Sequence, residues 1–349
     1  MIAGDALDVD ALGLRVRIEL GAGLDGAQRR RVRQAWSGAL STGDGDPDLT
    51  VPFPAGADHD RAMERLTVDV TLAALEALRG RALMFHAAGV ADERGTVAAF
   101  VGPSGRGKTT LSRELGRQWG YVSDETIAVQ PDLRVSPYRK PLSVVRPGAP
   151  KRQVPAQEAG LKDLPAAALR LGALVLIERD AGLAAPEVTS IPLAEALPQL
   201  VPQMSYLRFL DRPLQAVASL ADAVGGIRLL RYPDAGTVPA LLPQLLTSQT
   251  HASGWSPAPE PVPDAPLIAD GTADAILTDG FLIVMVGATL HVLDGIAPQV
   301  WLSCARGEDI DGIVAGVLAE YGPPPQGDAA ALVRSALEEL IEAGVLRRR

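Results

Sequence analysis

The sequence predicts an α/β protein: a mixed-sheet domain arranged around one glycine-rich loop, followed by a small α+β module of winged-helix size. Three observations predict it. Residues 102–110 read GPSGRGKTT, the spacing Gly, four residues, Gly-Lys-Thr, between the apolar run 96–101 (TVAAFV) and a helical recurrence of Leu111, Leu115 and Trp119. Residues 82–90 (ALMFHAAGV) and 96–101 flank Asp92-Glu93-Arg94-Gly95, which is hairpin-loop chemistry, so the strand feeding the loop pairs antiparallel with its predecessor. Beyond a proline-rich stretch the pattern changes to three short strands and three helices in about 80 residues.

Taken in order, residues 14–20 (LRVRIEL) alternate and read as a strand, and 27–40 as a helix whose Arg29, Arg30, Arg31 and Arg33 make a solvated face. A short strand lies within 46–54. Residues 61–78 carry Met63, Leu66, Val70, Leu75 and Leu78 on one helical face, expected to pack on the sheet that holds the loop. Residues 121–129 (YVSDETIAV) read as a strand interrupted by two acids, 131–150 as irregular, and 169–178 (LRLGALVLIE) as the next strong strand. Residues 191–210 are helix-like but broken at Pro198 and Pro202, and 239–246 close the domain. Residues 251–266 hold five prolines and read as a semi-rigid linker. Strands follow at 275–277, 281–286 and 289–293, then helices at 296–305, 310–321 and 329–343, with Gly344 at a C-cap position. The domains are therefore 1–250, a linker 251–265, and 266–349.

Composition bounds the function. The 349 residues are 47% hydrophobic, 21% charged and 4% aromatic, with a net charge of −9, which argues against nucleic acid as a partner. Residues 266–349 hold 12 acids and 5 bases, a balance of −7, so the winged-helix module is a poor nucleic-acid reader as well. One cysteine, Cys304, excludes an internal disulfide framework, and four scattered histidines form no metal cluster. The start MIAGDALDVD lacks a secretion signal, and the longest apolar stretch, 281–293, is too short for a bilayer. The expectation is a cytoplasmic protein with no membrane partner; a homo-oligomer stays open.

A strand–loop–helix of this kind aims successive backbone N–H groups at one anion, and its glycines let the main chain approach a phosphate. Gly102, Ser104, Gly105, Arg106, Gly107, Lys108, Thr109 and Thr110 form the nucleotide cradle. Within it Lys108 reaches the β- and γ-phosphates, and the Thr109 hydroxyl is a magnesium ligand. Asp124 and Glu125, one helix later, are the candidate acids; as strand neighbours they point to opposite faces, one to hold magnesium and the other to address the attacking hydroxyl. His86 lies in the paired strand, as a core residue or as a partner that hydrogen-bonds Asp124 and tunes it. Lys140, on the irregular segment, could close over the γ-phosphate; Arg179 is a weaker version of the same reading, and Arg139 is surface charge. His59, His251, His291 and Cys304 are assigned to structure or surface. The loop resembles that of transporter ATPases, but no LSGGQ-type signature and no NKxD guanine motif accompany it.

The order FHAAGV, GPSGRGKTT, YVSDETIAV resembles the catalytic domain of HPr kinase/phosphorylase and its relatives, which share a fold with ATP-dependent phosphoenolpyruvate carboxykinases. The resemblance covers roughly residues 80–180. It implies ATP and Mg2+ as cofactors, Asp124 as the catalytic acid/base assisted by His86, and Glu125 as the magnesium partner of Thr109. Glu125 stands where a second Asp is usual, and a later glycine-rich signature has no counterpart here. HPr is thereby disfavoured as substrate, and a serine or peptide kinase favoured.

From about residue 266 a second resemblance begins: TLHVLDGIAPQVWLSC, a helix ending AEYG, and LEELIEAGVL are similar to PqqD-like domains, which hold the leader of a ribosomally made precursor peptide. That implies strand addition to a sheet edge. Together the resemblances imply a kinase for a hydroxyl, most simply serine, of a ribosomally synthesised peptide. The alternatives are a small-metabolite or free-serine kinase with a regulatory tail, and a nucleotide-gated, non-catalytic peptide escort.

Overall fold

The computed structural model describes residues 6–348 apart from 57, 104, 106, 147, 248–253, 264, 266, 270 and 271; His251 lies outside the described residues. The chain divides into two compact units. One takes residues 1–191, 202–206 and 224–250; the other takes 192–201, 207–223 and 251–349.

The first unit opens with a hairpin of β1 (Ala6–Ala11) and β2 (Leu14–Glu19), then α1 (Gly26–Ala35), β3 (Leu49–Pro52, parallel to β2) and α2 (His59–Ala77). The buried face of α2, with Met63, Leu66 and Val70, shares one core with Val9, Val16 and Ile18 of the small sheet and with Met84 and Ala128 of the large one. The helix thus packs on the small sheet as well as on the loop-bearing one, a sharing that the 3.6-residue periodicity could not reveal.

The large sheet begins with β4 (Leu83–Ala91) and β5 (Thr96–Val101), an antiparallel hairpin as the turn residues predict. Asp92 Oδ1 accepts from the N–H groups of Arg94 (3.0 Å) and Thr96 (2.7 Å). Gly95 sits at φ +84°, where a Cβ would meet the Ala168 carbonyl oxygen at 2.3 Å, so only glycine closes this turn. After α3 (Lys108–Gly116) come β6 (Gly120–Ser123), β7 (Thr126–Val129), β8 (Val135–Ser136), and a separate hairpin of β9 (Leu142–Arg146) with β10 (Ala149–Val154). The segment read as irregular therefore holds β8, β9 and the start of β10. Next are β11 (Arg170–Arg179), β12 (Glu187–Ile191), α4 (Leu193–Leu200), β13 (Met204–Ser205), α5 (Pro213–Ala223), β14 (Ile227–Tyr232) and α6 (Leu242–Thr247); α4 and α5 belong to the second unit.

The sheet runs β12-β14-β11-β5-β4-β7-β8, with β6 and β13 also paired to β4. β5 is parallel to β11 and β11 to β14, while the pairs made by β4 are antiparallel. This is the expected mixed sheet. Phe100, Leu111, Leu115, Val175 and Leu230 seal α3 against it, each such burial contributing about 1.5–3 kcal/mol.

The second unit holds β15 (Trp255–Pro257), β16 (Thr272–Thr278), β17 (Phe281–Val286) and β18 (Thr289–Leu293) in that order, antiparallel throughout, then α7 (Ala297–Ala305), α8 (Ile310–Tyr321) and α9 (Ala329–Glu342). Trp301, Ile313, Val333 and Leu337 close the core, and Gly344 follows α9 at φ +75°. β15 falls inside the proline-rich stretch read as a linker. Its one proline, Pro257, is compatible with an edge strand, where N–H groups need no partner.

Candidate active site

The loop after β5 enters α3 through Gly107, whose φ of +91° starts the helix with its first N–H groups turned outward. Gly102 approaches β11 so closely that a Cβ would meet Ile177 Cγ1 at 2.8 Å. Lys108 is buried, and its Nζ donates to the carbonyls of Gly102 and Pro103 on its own loop. Burial lowers its pKa, with Glu125 opposing. Ser104 and Arg106 lie outside the described residues.

Asp124 and Glu125 occupy the break between β6 and β7. The break is pinned from β4: Ala87 N–H donates to the Glu125 carbonyl at 3.1 Å, and His86 Nδ1 reaches the same oxygen at 3.0 Å. Ser123 Oγ accepts from the N–H groups of Glu125 and Thr126, both at 3.2 Å. Because a carbonyl can only accept, His86 Nδ1 carries the hydrogen and Nε2 is the basic nitrogen of the neutral ring. Burial and then Lys108 lower the pKa of His86, which favours its neutral form. Its bond goes to the Glu125 main chain, not to the Asp124 carboxylate that one of its two sequence readings gives it.

Outside a continuous strand, alternation of faces is suspended, and both acids turn to one cation. Lys140 Nζ lies 2.8 Å from Glu125 Oε2 and 3.6 Å from Asp124 Oδ1, at 3% exposure. Burial opposes the lysine charge, but Asp124 and Glu125 outweigh it and raise its pKa. Burial likewise opposes the Glu125 charge, and Lys140 overcomes it and lowers the pKa. Asp124 is held a second time, since the fully buried Tyr121 donates its hydroxyl to Oδ1 at 3.0 Å. Oδ2 has no hydrogen bond among the described residues. Lys140 is thus a fixed countercharge, where the sequence suggests a mobile one.

These groups share a cavity of about 620 Å³. Its glycine-rich-loop side is Gly105, Gly107, Lys108, Thr109 and Thr110; His86, Asp124, Glu125 and Lys140 also line it. Gly102 and Arg179 do not; Arg179 Nε donates to the Pro233 carbonyl at 3.4 Å. Arg139 is buried rather than on the surface, donating to Asp163 Oδ1 (3.1 Å) and the Lys162 carbonyl (3.3 Å). Sequence reasoning misses Tyr121 and the far wall, formed by Val68 and Leu72 of α2 with Val145 of β9. A signal for the wall exists in Val68 and Leu72, an i, i+4 apolar pair off the main apolar face of α2.

Oxygen donors of the kind a magnesium ion takes, the Glu125 and Asp124 carboxylates and the Thr109 hydroxyl, line one cavity, and the carboxylates already hold a cation in Lys140. Among the described residues no group of three or more His, Cys, Asp or Glu is placed to hold a metal, and no helix is long and apolar enough to cross a membrane.

Comparison with known families places a match to coenzyme PQQ synthesis protein D (PqqD) at residues 282–346, spanning β17 to the end of α9 and the turn after it. Among solved structures, the HPr(Ser) kinase/phosphatase from Coxiella burnetii is similar at 13% identity and a TM-score of 0.27, over 46% of this chain and 92% of that one. No curated protein matches the chain.

Proposed function

We propose that the protein is an ATP-dependent kinase that transfers the γ-phosphate to a hydroxyl, most simply a serine, of a ribosomally made peptide whose leader is held by residues 266–349. One observation carries the kinase reading: Asp124 and Glu125 share a single cavity with Lys108 and Thr109 of the phosphate loop. Asp124 Oδ2 accepts the acceptor's proton while Oδ1 stays anchored by Tyr121 and Lys140. The acceptor oxygen forms the new bond to phosphorus as the bond to the leaving diphosphate oxygen breaks. Lys108 and the N-terminus of α3 meet the charge on the phosphoryl oxygens. Glu125 and Thr109 would hold magnesium, which supplies further neutralisation of that charge when bound.

The PqqD match supports the peptide partner. In the second unit's sheet β15 occupies one edge, so β18 is the open edge at which a leader strand would add.

The test is mass spectrometry of candidate precursor peptides incubated with the protein and Mg-ATP. Phosphorylation is expected with the wild type and is lost in Lys108→Ala and in Asp124→Asn, both retaining the wild-type circular dichroism. Activity retained in Asp124→Asn removes the assignment of the base.

A further inference from the structure

Leu40, Val68, Leu72 and Val145 are the exposed large apolar side chains among the described residues of the first unit, and the last three line the catalytic cavity. Their exposures, 47%, 55% and 74% respectively, are large for apolar groups in a protein that buries the rest of its α2 face. Apolar surface concentrated at the mouth of one cavity marks a surface with an occupant. Charge at this rim is balanced, since Lys151 Nζ lies 3.3 Å from Glu64 Oε1.

What covers the wall follows from where it lies. On one flank the loop is packed against β11 and β14, with Gly102 against Ile177 and Gly107 near the Tyr232 hydroxyl, and none of Gly102, Ile177 or Tyr232 lines the cavity. The cavity therefore opens on the flank that carries the acids. The wall is tied to those acids: Thr71, beside Leu72, shares a 2.7 Å hydrogen bond with Tyr138, two residues before Lys140, which pairs with both carboxylates. Phosphate held at the loop and a proton acceptor at Asp124 put the acceptor hydroxyl between them. The acceptor's neighbours then fall against Val68, Leu72 and Val145. A free amino acid or a charged metabolite would leave that surface wet.

We infer that this wall is the acceptor-specificity surface, and that it takes a peptide bearing a large aliphatic or aromatic side chain within one or two positions of the phosphorylated hydroxyl. The inference rests on the kinase reading above and deepens it.

The experiment uses full-length protein, Mg-ATP, and short serine peptides flanked by Leu, by Gly or by Asp, with free serine alongside. A fluorescent ATP analogue reports nucleotide affinity separately. The Leu-flanked peptide is expected to exceed the Gly-flanked one in kcat/KM by about 10- to 100-fold, as apolar pockets discriminate. Leu72→Ser combined with Val145→Ser, at exposed positions, should erase that preference and leave nucleotide affinity unchanged. Equal use of all peptides and free serine overturns the inference while the kinase reading stands. Loss of nucleotide affinity with the preference intact assigns the wall to the base and overturns it too. Nucleotide binding without transfer to any probe, with candidate precursor peptides also left unmodified, removes the kinase reading, and the inference with it.

Discussion

A single ammonium group, that of Lys140, holds the two acids of the site together. At 3% exposure it has exchanged water for the carboxylates of Asp124 and Glu125, an arrangement stable only while both signs are present. Lys140→Met keeps the volume and removes the charge, leaving the buried Asp124 carboxylate with Tyr121 as its remaining partner among the described residues. Urea denaturation should register a loss of about 3–5 kcal/mol, with Lys140→Arg recovering part of it. An unchanged midpoint would mean that the pair is not formed in solution. His59 presents the opposite problem. It stacks on Phe53 at 5.6 Å, and both ring nitrogens are buried without a hydrogen-bond partner among the described residues. Burial, and then Arg31, lower its pKa below the ordinary value, against Asp25, Asp58 and Asp60. The unfolded chain thus binds this proton more readily than the native one. His59 therefore adds stability that is present above about pH 6.5 and lost as the pH falls below it toward the depressed native pKa. His59→Leu should flatten that part of the stability–pH curve, measured by thermal melts between neutral and mildly acidic buffers.

Elements in this chain are completed by residues distant in sequence. Helix α5 receives its N-terminal cap from β16: Asp274 accepts from the N–H groups of Leu214 (3.1 Å) and Gln215 (3.0 Å). Asp274→Ala should cost about 1–2 kcal/mol, the usual loss on removing a cap, while Asp274→Asn should cost less; equal losses in the two would assign the effect to packing instead. The same long-range completion explains which elements were legible in the sequence. β4, β5, the loop and α3 are contiguous, and each signals itself through an unbroken apolar run, a turn or a helical spacing. The break at Asp124 and Glu125 is legible for the same reason. The direction of the two acids is not, because it depends on Lys140 arriving from the β8–β9 segment. The β9–β10 hairpin hides behind prolines and cations. β12 is a largely exposed edge strand, EVTSI, whose polar residues give no apolar alternation. α5 goes unread although its buried Leu214, Val217, Ala218 and Ala221 recur at helical spacing, whereas β14 goes unread because arginines at 228 and 231 interrupt its apolar run. The Tyr121 hydroxyl bond to Asp124 is a tertiary fact no spacing rule contains.

For the molecule as a whole, the boundary of the C-terminal domain is the point at which sequence and packing part company. The PqqD match begins at residue 282 and the sequence reading at 266, yet the core of the second unit includes Ala258 and Ala265, and β15 pairs with β16 from Trp255↔Thr278 to Pro257↔Ile276. Trp255 Nε1 further donates to Asp222 Oδ2 at 2.7 Å, tying β15 to the end of α5. A fragment cut at 266 therefore loses an edge strand and part of its core, and it gains a second open edge on β16. Comparing fragments 254–349 and 266–349 by circular dichroism, the shorter should melt lower by about 10 °C or more, given 4–8 °C per kcal/mol for domains of this size. It should also self-associate in sedimentation, because the unpaired N–H and C=O groups of β16 become a template for a second chain. The strand at 255–257 would then have two duties, completing the core and restricting strand addition to β18. Equal melting and a monomeric 266–349 would show that neither duty falls to β15, and that the proline-rich stretch acts as the linker its composition suggests.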